Sequence, residues 1–123
     1  MFSVEADQSK RLMVISYAQH VSRDEAKEAA RQVRQILESF EPGFRVLADL
    51  RWLVSMDAAA APHIADIMKA VASKKVAMVV RVVPDPRKDI GLNILSLFHY
   101  GDNVKIVMCE TLADALASLA AEG

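Results

Sequence analysis

Two aspartates and a histidine are the residues best suited to acid–base chemistry in this chain. Asp57 and His63 lie six positions apart across a predicted helix start, and Asp85 follows the next predicted strand. A carboxylate and an imidazole within hydrogen-bond reach can move protons or bind a metal ion. We favour the alternative that Asp57 caps a loop and that His63 lies on the surface of a first helical turn. The chain has no His-x-x-x-His, Cys-x-x-Cys or Glu-x-x-His spacing, so we expect neither a metal nor a cofactor.

A stiff, charged segment follows the strongest strand signal in the chain. Asp85 stands between two prolines, and Arg87 and Lys88 come directly after the second. The two cations could hold an acidic ligand or partner close to the free amide groups of a helix start. The same segment has the pattern of helix initiation, with Asp85 as N-cap and Pro86 as the first helical residue, and we favour this interpretation.

The segment from Trp52 to Met56 is largely apolar, although it joins a predicted strand to a predicted helix. Loops normally face water, so these side chains either fold back over the core or form a surface that contacts another molecule. The sequence leaves both interpretations open. Because tryptophan often contributes a large share of the binding energy at a contact, Trp52 is our first candidate for an interaction residue.

The chain has a single cysteine, Cys109, which cannot form an internal disulfide bond. Its neighbours Val107 and Met108 predict a thiol packed in the core rather than a nucleophile. A chain without disulfides is consistent with a reducing cytoplasm.

The elements that position these residues follow from local sequence signals. Phe2 to Asp7 and Arg11 to His20 predict a hairpin, and Ser22 with Glu25 predicts the capping box of an amphipathic helix that ends before Pro42. The other predicted elements are the strand Phe44 to Leu50, a helix from Ala59–Ala61 to Ser73, the strand Val76 to Val83, a helix carrying Ile90 to Phe98 and ending near Gly101, the strand Val104 to Cys109, and a helix after Thr111.

This element order, ββαβαβαβα, predicts one α/β domain over residues 1–123. Strands that alternate with helices favour a mixed, mainly parallel five-stranded sheet with four helices. In such sheets, ligands and partners usually meet the loops at the carboxyl ends of the strands. Those loops are predicted at Arg51 to Ala61, Pro84 to Lys88 and Glu110 to Thr111.

Composition excludes several classes of partner. The net charge is −1, from 15 basic and 16 acidic residues that form no block of one sign, so we expect neither nucleic acid nor anionic lipid as a partner. Apolar runs such as Val76 to Val80 are much shorter than the roughly 20 residues of a spanning helix. Glu5 and Asp7 do not fit a signal peptide. We therefore expect a cytoplasmic protein that does not insert into a membrane.

The element order and the segment from Asp49 to Ala59 resemble the STAS domain family, the fold of bacterial anti-sigma factor antagonists. In that family an aspartate ends one strand, and a second aspartate followed by a serine pair begins the next helix. Asp49 and Asp57 match the two aspartates, whereas Ala58 and Ala59 occupy the positions of the serines. The resemblance implies a regulatory module in which a kinase phosphorylates one serine and so dissociates the partner complex.

Alanine has no hydroxyl group to accept phosphate, so this switch is expected to be absent. Ser55 is the one hydroxyl residue left in the segment, and nothing in its spacing makes it a substitute. The chain is also similar to divergent STAS-like proteins related to lipid-binding Sec14-type domains, a resemblance carried by Arg81 to Pro86 and Phe98 to Tyr100.

Three functions follow as hypotheses. The first is a non-enzymatic regulatory module that binds a protein partner, or a second copy of itself as a homodimer, through Trp52, Ser55, Asp57, Ala58, Ala59 and His63. The second is a domain that binds a small apolar or lipid-like ligand in a closed cavity. The third is an enzyme built on Asp57, His63 and Asp85.

Overall fold

The computed structural model describes residues 1–83 and 104–122. Within these ranges the chain forms five strands and three α-helices. They are β1 (Phe2–Asp7), β2 (Leu12–Val21), α1 (Arg23–Leu37), β3 (Arg45–Met56), α2 (Ala61–Ser73), β4 (Met78–Val82), β5 (Lys105–Cys109) and α3 (Leu112–Glu122). A short 3-10 turn, Ala58–Ala60, precedes α2. The predicted α/β class is confirmed, and the further helix predicted to carry Ile90 to Phe98 lies outside the described residues.

The five strands form one mixed sheet in the order β1-β2-β3-β4-β5. The hairpin partners β1 and β2 are antiparallel. The other three pairs, β2 with β3, β3 with β4, and β4 with β5, are parallel. Parallel pairing gathers the carboxyl ends of β2, β3 and β4 at the same edge of the sheet, which is the edge where α1 and α2 begin.

Helix α1 begins as its sequence predicts. The Ser22 hydroxyl accepts a hydrogen bond from the Glu25 amide at 3.1 Å, and the Glu25 carboxylate accepts one from the Ser22 amide at 3.1 Å. This capping box satisfies two amide groups that the helix itself leaves without acceptors. One face of α1 is buried against the sheet, through Ala26, Ala29, Ala30, Val33 and Leu37.

Hydrophobic cores lie on both faces of the sheet. The larger core fills the space between the sheet and the helices α1 and α2, and it includes Met13, Ile15, Tyr17, Val46, Ile64, Ile67 and Val71. The smaller core lies under α3 and includes Leu47, Met78, Val80, Val82, Cys109, Ala115 and Leu119. Cys109 is buried with its Sγ 3.9 Å from the Ser118 hydroxyl, which confirms the prediction of a core thiol.

The predicted and observed boundaries differ most at the end of β3, and β4 (Met78–Val82) is also shorter than the predicted strand Val76 to Val83. The strand expected to end at Leu50 continues to Met56, so the predicted loop from Arg51 to Ala61 is strand along most of its length. The cause is β2, which is ten residues long and pairs with β3 as far as Val21 and Met56. Backbone hydrogen bonds to a long neighbour extend a strand beyond the end of its own strongest apolar run.

Candidate interaction site at the carboxyl ends of β2 and β3

The last part of β3 is irregular, and its irregularities determine where each side chain points. The pairing with β2 shifts register twice, once between Ser16 and Ala18 and once between Gln19 and His20. Gln19 has a φ angle of 58°, in the left-handed region that non-glycine residues seldom adopt. Each extra residue on β3 bends the strand and redirects the next side chain, as β-bulges do.

The bulges separate the apolar residues of this segment into two groups. Leu53 and Met56 are partly buried and pack against the larger core. Trp52 is 62% exposed and Val54 is 68% exposed, so both present apolar side chains to solvent. The sequence leaves open whether these side chains fold back over the core or form a surface. Leu53 and Met56 fold back over the core, whereas Trp52 and Val54 form an exposed apolar patch.

An ion pair in the middle of β3 lies next to this patch. The Arg51 guanidinium donates to both carboxylate oxygens of Asp49, at 3.0 Å and 2.9 Å, and its central carbon lies 5.6 Å from the centre of the Trp52 ring. The Asp49 side chain is only 12% exposed. Hydrogen bonds from Arg51 hold the pKa of the Asp49 carboxyl below its usual value. The pair therefore fixes Arg51 beside the indole ring, where a cation is attracted to the aromatic face.

We expect Asp49→Asn to lower the free energy of unfolding by about 1 kcal/mol at pH 7, because one partner of a partly exposed bidentate pair is lost. The lowered pKa means that this contribution is present above the unfolded-state pKa of about 3.9 and is lost as pH falls through the folded-state pKa. Urea unfolding of both proteins should therefore give a difference that shrinks as the buffer is taken below about pH 4. A difference that is constant with pH would contradict this assignment.

Three side chains meet at the end of these strands. His20 accepts or donates a hydrogen bond with the Ser55 hydroxyl at 2.8 Å through Nδ1, and with Asp57 Oδ1 at 2.9 Å through Nε2. Asp57 Oδ2 accepts the backbone N–H of Arg23 at 3.0 Å, and the Asp57 amide donates to the carbonyl of Val21 at 2.9 Å. The Ser55–His20–Asp57 cluster thus joins β2, β3 and the start of α1.

The structure gives Asp57 partners that differ from the predicted ones. Its side chain does not cap the turn that follows it but accepts the Arg23 amide, a group at the first residue of α1. The imidazole beside it is His20 and not His63, which has no hydrogen bond or ion pair with any residue of 1–83 and 104–122. His63 is half-buried in the first turn of α2. Asp85, the third member of the predicted cluster, lies outside the described residues.

His20 is the site residue that the sequence interpretation missed. It is the last residue of the predicted second strand, 37 positions from Asp57. A usable signal was present, because parallel strands place their carboxyl ends together and both residues stand at such ends. The register that brings His20 opposite Ser55 depends on the two bulges, which no local pattern indicates.

The other predicted site residues divide between the described and undescribed parts of the chain. Ala58 and Ala59 lie exposed in the 3-10 turn that leads into α2. Arg87 and Lys88 lie outside the described residues. Within the part of the chain that the structure covers, no group of three or more His, Cys, Asp or Glu side chains is arranged to hold a metal ion.

Solved structures with the same architecture cover nearly all of the chain. An uncharacterised protein of the DUF3478 family with a SpoIIAA-like fold, from Shewanella loihica PV-4, superposes with a TM-score of 0.68 and 16% identity over 97% of this chain and 92% of that one. This chain has a STAS-like fold. The Bacillus cell fate determinant SpoIIAA in its phosphorylated form gives a TM-score of 0.64 at 11% identity, over 97% of this chain and 99% of that one.

A third STAS-like structure is an anti-sigma factor antagonist from Mycobacterium paratuberculosis, with a TM-score of 0.61 and 16% identity over 98% of this chain and 95% of that one. No protein-family model and no curated protein sequence matches the chain. At sequence identities this low, the similarity shows a shared fold and nothing more.

The STAS-like core leaves little room between the sheet and α2. The cavity there has a volume of about 30 Å³ and is lined by apolar side chains together with the buried Arg81. A cavity of that size holds about one or two water molecules. No helix in the described ranges is both long enough and apolar enough to cross a membrane.

Proposed function

We propose that the chain is a non-enzymatic regulatory module of the cytoplasm that binds a protein partner through the carboxyl ends of β2 and β3. The observation that carries this proposal is the exposed pair Trp52 and Val54, at 62% and 68% exposure, on the part of β3 that runs alongside β2. Large apolar side chains that are exposed two positions apart on one strand make a local apolar surface, and such surfaces are typical of contacts with another molecule.

The surroundings of the patch support the proposal. Arg51 is fixed against the Trp52 ring by Asp49, and the Ser55–His20–Asp57 cluster fixes the end of the same strand. A surface that is already ordered loses less conformational entropy when a partner binds. Polar groups around an apolar centre are also the usual composition of a protein–protein contact.

The likeness in fold supports the same class of function. One neighbour is named an anti-sigma factor antagonist, which describes action on another protein. The present chain carries Ala58 and Ala59 where the sequence resemblance places the family's serines. We therefore propose a partner complex that phosphorylation at these two positions does not regulate.

Capture from a lysate of the native host tests this proposal. We expect Val54→Asp to abolish retention of a protein that the wild-type chain retains, because a charge would be buried in the contact without a partner. The matched control is Leu116→Asp, which places the same charge on a side chain of α3 that is 51% exposed. Equal retention by the two variants, or no retained protein at all, would contradict the proposal.

A second copy of the chain is an alternative occupant of the same patch. In that case purified wild-type protein should elute as a dimer in size-exclusion chromatography, and Val54→Asp should elute as a monomer.

Binding of a small apolar ligand is the other alternative. A co-purified lipid in native mass spectrometry would favour it over the protein partner.

A further inference from the structure

The Ser55–His20–Asp57 cluster has the order of groups that activates a serine nucleophile. A hydroxyl lies 2.8 Å from one imidazole nitrogen, and a carboxylate oxygen lies 2.9 Å from the other. The first distance is within the reach needed for proton transfer from a nucleophile to its base, and the second is that of a hydrogen bond by which a third group orients the base. The second carboxylate oxygen is occupied by the Arg23 amide at 3.0 Å, so Asp57 is itself held in position.

The hydrogen bonds assign the proton on the neutral imidazole. An ionised carboxylate only accepts hydrogen bonds, so His20 Nε2 must carry the proton that it donates to Asp57. Nδ1 then has a free lone pair, and the Ser55 hydroxyl donates to it. This is the relation between hydroxyl, imidazole and carboxylate in a Ser-His-Asp triad, with the two ring nitrogens exchanged.

We propose that Ser55 is a base-activated nucleophile that activated acyl donors, such as aryl esters or acyl thioesters, convert to an ester. Ser55 Oγ forms a bond to the acyl carbon, and its proton passes to His20 Nδ1. The bond from the acyl carbon to the leaving oxygen or sulfur breaks, and the leaving group takes the proton from the imidazolium. The products are an ester at Ser55 and a free phenol or thiol, with no oxidant or further reactant required.

The reaction forms one ester per chain, and the ester at Ser55 is not turned over. Because Ser55 follows Val54 directly, the added acyl group would enlarge the exposed apolar patch. The modification would thus change the same surface through which we propose that a partner binds. The chemistry itself needs no partner and does not rest on the proposed function.

Ser9 is an internal control for this reactivity. It is also exposed, and its hydroxyl donates to the Asp7 carboxylate at 2.7 Å, but no imidazole takes part. A comparison of Ser55 with Ser9 in the same sample therefore measures what a histidine partner adds over a carboxylate partner. General-base assistance by a positioned side chain typically contributes a factor of about 10² to 10⁴, and an exposed site belongs at the low end of that range.

The test uses the purified wild-type chain and p-nitrophenyl acetate, with peptide mapping by mass spectrometry. We expect Ser55 to be acetylated about 100 times faster than Ser9. His20→Gln should reduce the Ser55 rate to that of Ser9. Asp57→Asn should reduce it as well, because an amide at this position can donate to Nε2 and turn the imidazole to the wrong tautomer. Circular dichroism of each variant checks that the fold is kept.

Several outcomes would overturn the proposal. One is acetylation of Ser55 at the rate of Ser9. Another is a Ser55 rate that is unchanged in His20→Gln. The third is release of nitrophenol with no stable ester at Ser55. Since the assay contains only the purified chain, its failure would leave the capture experiment with Val54→Asp unaffected. Conversely, failure of capture would leave the acetylation result standing.

Discussion

Replacement of Trp52 by alanine is expected to weaken binding of the captured partner by about 30-fold. Removal of a tryptophan near the centre of a contact commonly costs about 2 kcal/mol or more, and 1.4 kcal/mol corresponds to a factor of ten in Kd. Trp52 is 62% exposed in the unbound chain, so its loss creates no cavity in the core. The measurement is isothermal titration calorimetry of the purified partner against both proteins.

The matched control for this substitution is Leu116→Ala on α3, which removes a side chain of comparable exposure outside the patch. It should leave Kd unchanged. Both variants should unfold within about 0.5 kcal/mol of wild type, as surface substitutions usually do. A Kd for Trp52→Ala equal to that of the control would show that Trp52 does not contribute to the contact.

Replacement of Asp57 by alanine is expected to lower the free energy of unfolding by about 1 to 2 kcal/mol. The carboxylate accepts hydrogen bonds from His20 and from the Arg23 amide, and their loss leaves a helix-start N–H without its acceptor. The side chain is 44% exposed, so water replaces part of what is lost. Urea unfolding followed by far-UV circular dichroism measures the difference.

Asp66→Ala is the control for this second prediction, because Asp66 is an exposed aspartate of α2 that makes no hydrogen bond or ion pair with any residue in the described ranges. Its free energy of unfolding should remain within about 0.5 kcal/mol of wild type. If Asp57→Ala left the free energy of unfolding equally unchanged, the hydrogen bonds of Asp57 with His20 and with the Arg23 amide would not contribute to stability.

The fold follows from sequence signals that act over a few residues. The capping box of Ser22 and Glu25 starts α1 where the sequence predicts it. The strand predicted from Arg11 to His20 is observed as Leu12–Val21, because this run is apolar on both alternating faces. Parallel pairing of the later strands follows from their alternation with helices. These signals are local because hydrogen bonds at a helix start, and burial along one strand, involve neighbouring residues.

The site follows from long-range pairing, which local signals do not contain. His20 meets Asp57 because β2 and β3 pair in a register that two bulges and the left-handed Gln19 determine. The exposure of Trp52 depends on the same bulges. The sequence therefore predicts that residues near Asp57 form a surface, but it cannot say that His20 belongs to that surface and that His63 is not bonded to Asp57.

Photo-crosslinking from position 54 tests the central claim most directly. A photoreactive residue in place of Val54, which is 68% exposed, should crosslink to the captured partner in the native host, whereas the same residue in place of Leu116 should not. Crosslinks from position 116 alone, or an equal yield from both positions, would contradict the proposal that the partner binds at the carboxyl ends of β2 and β3.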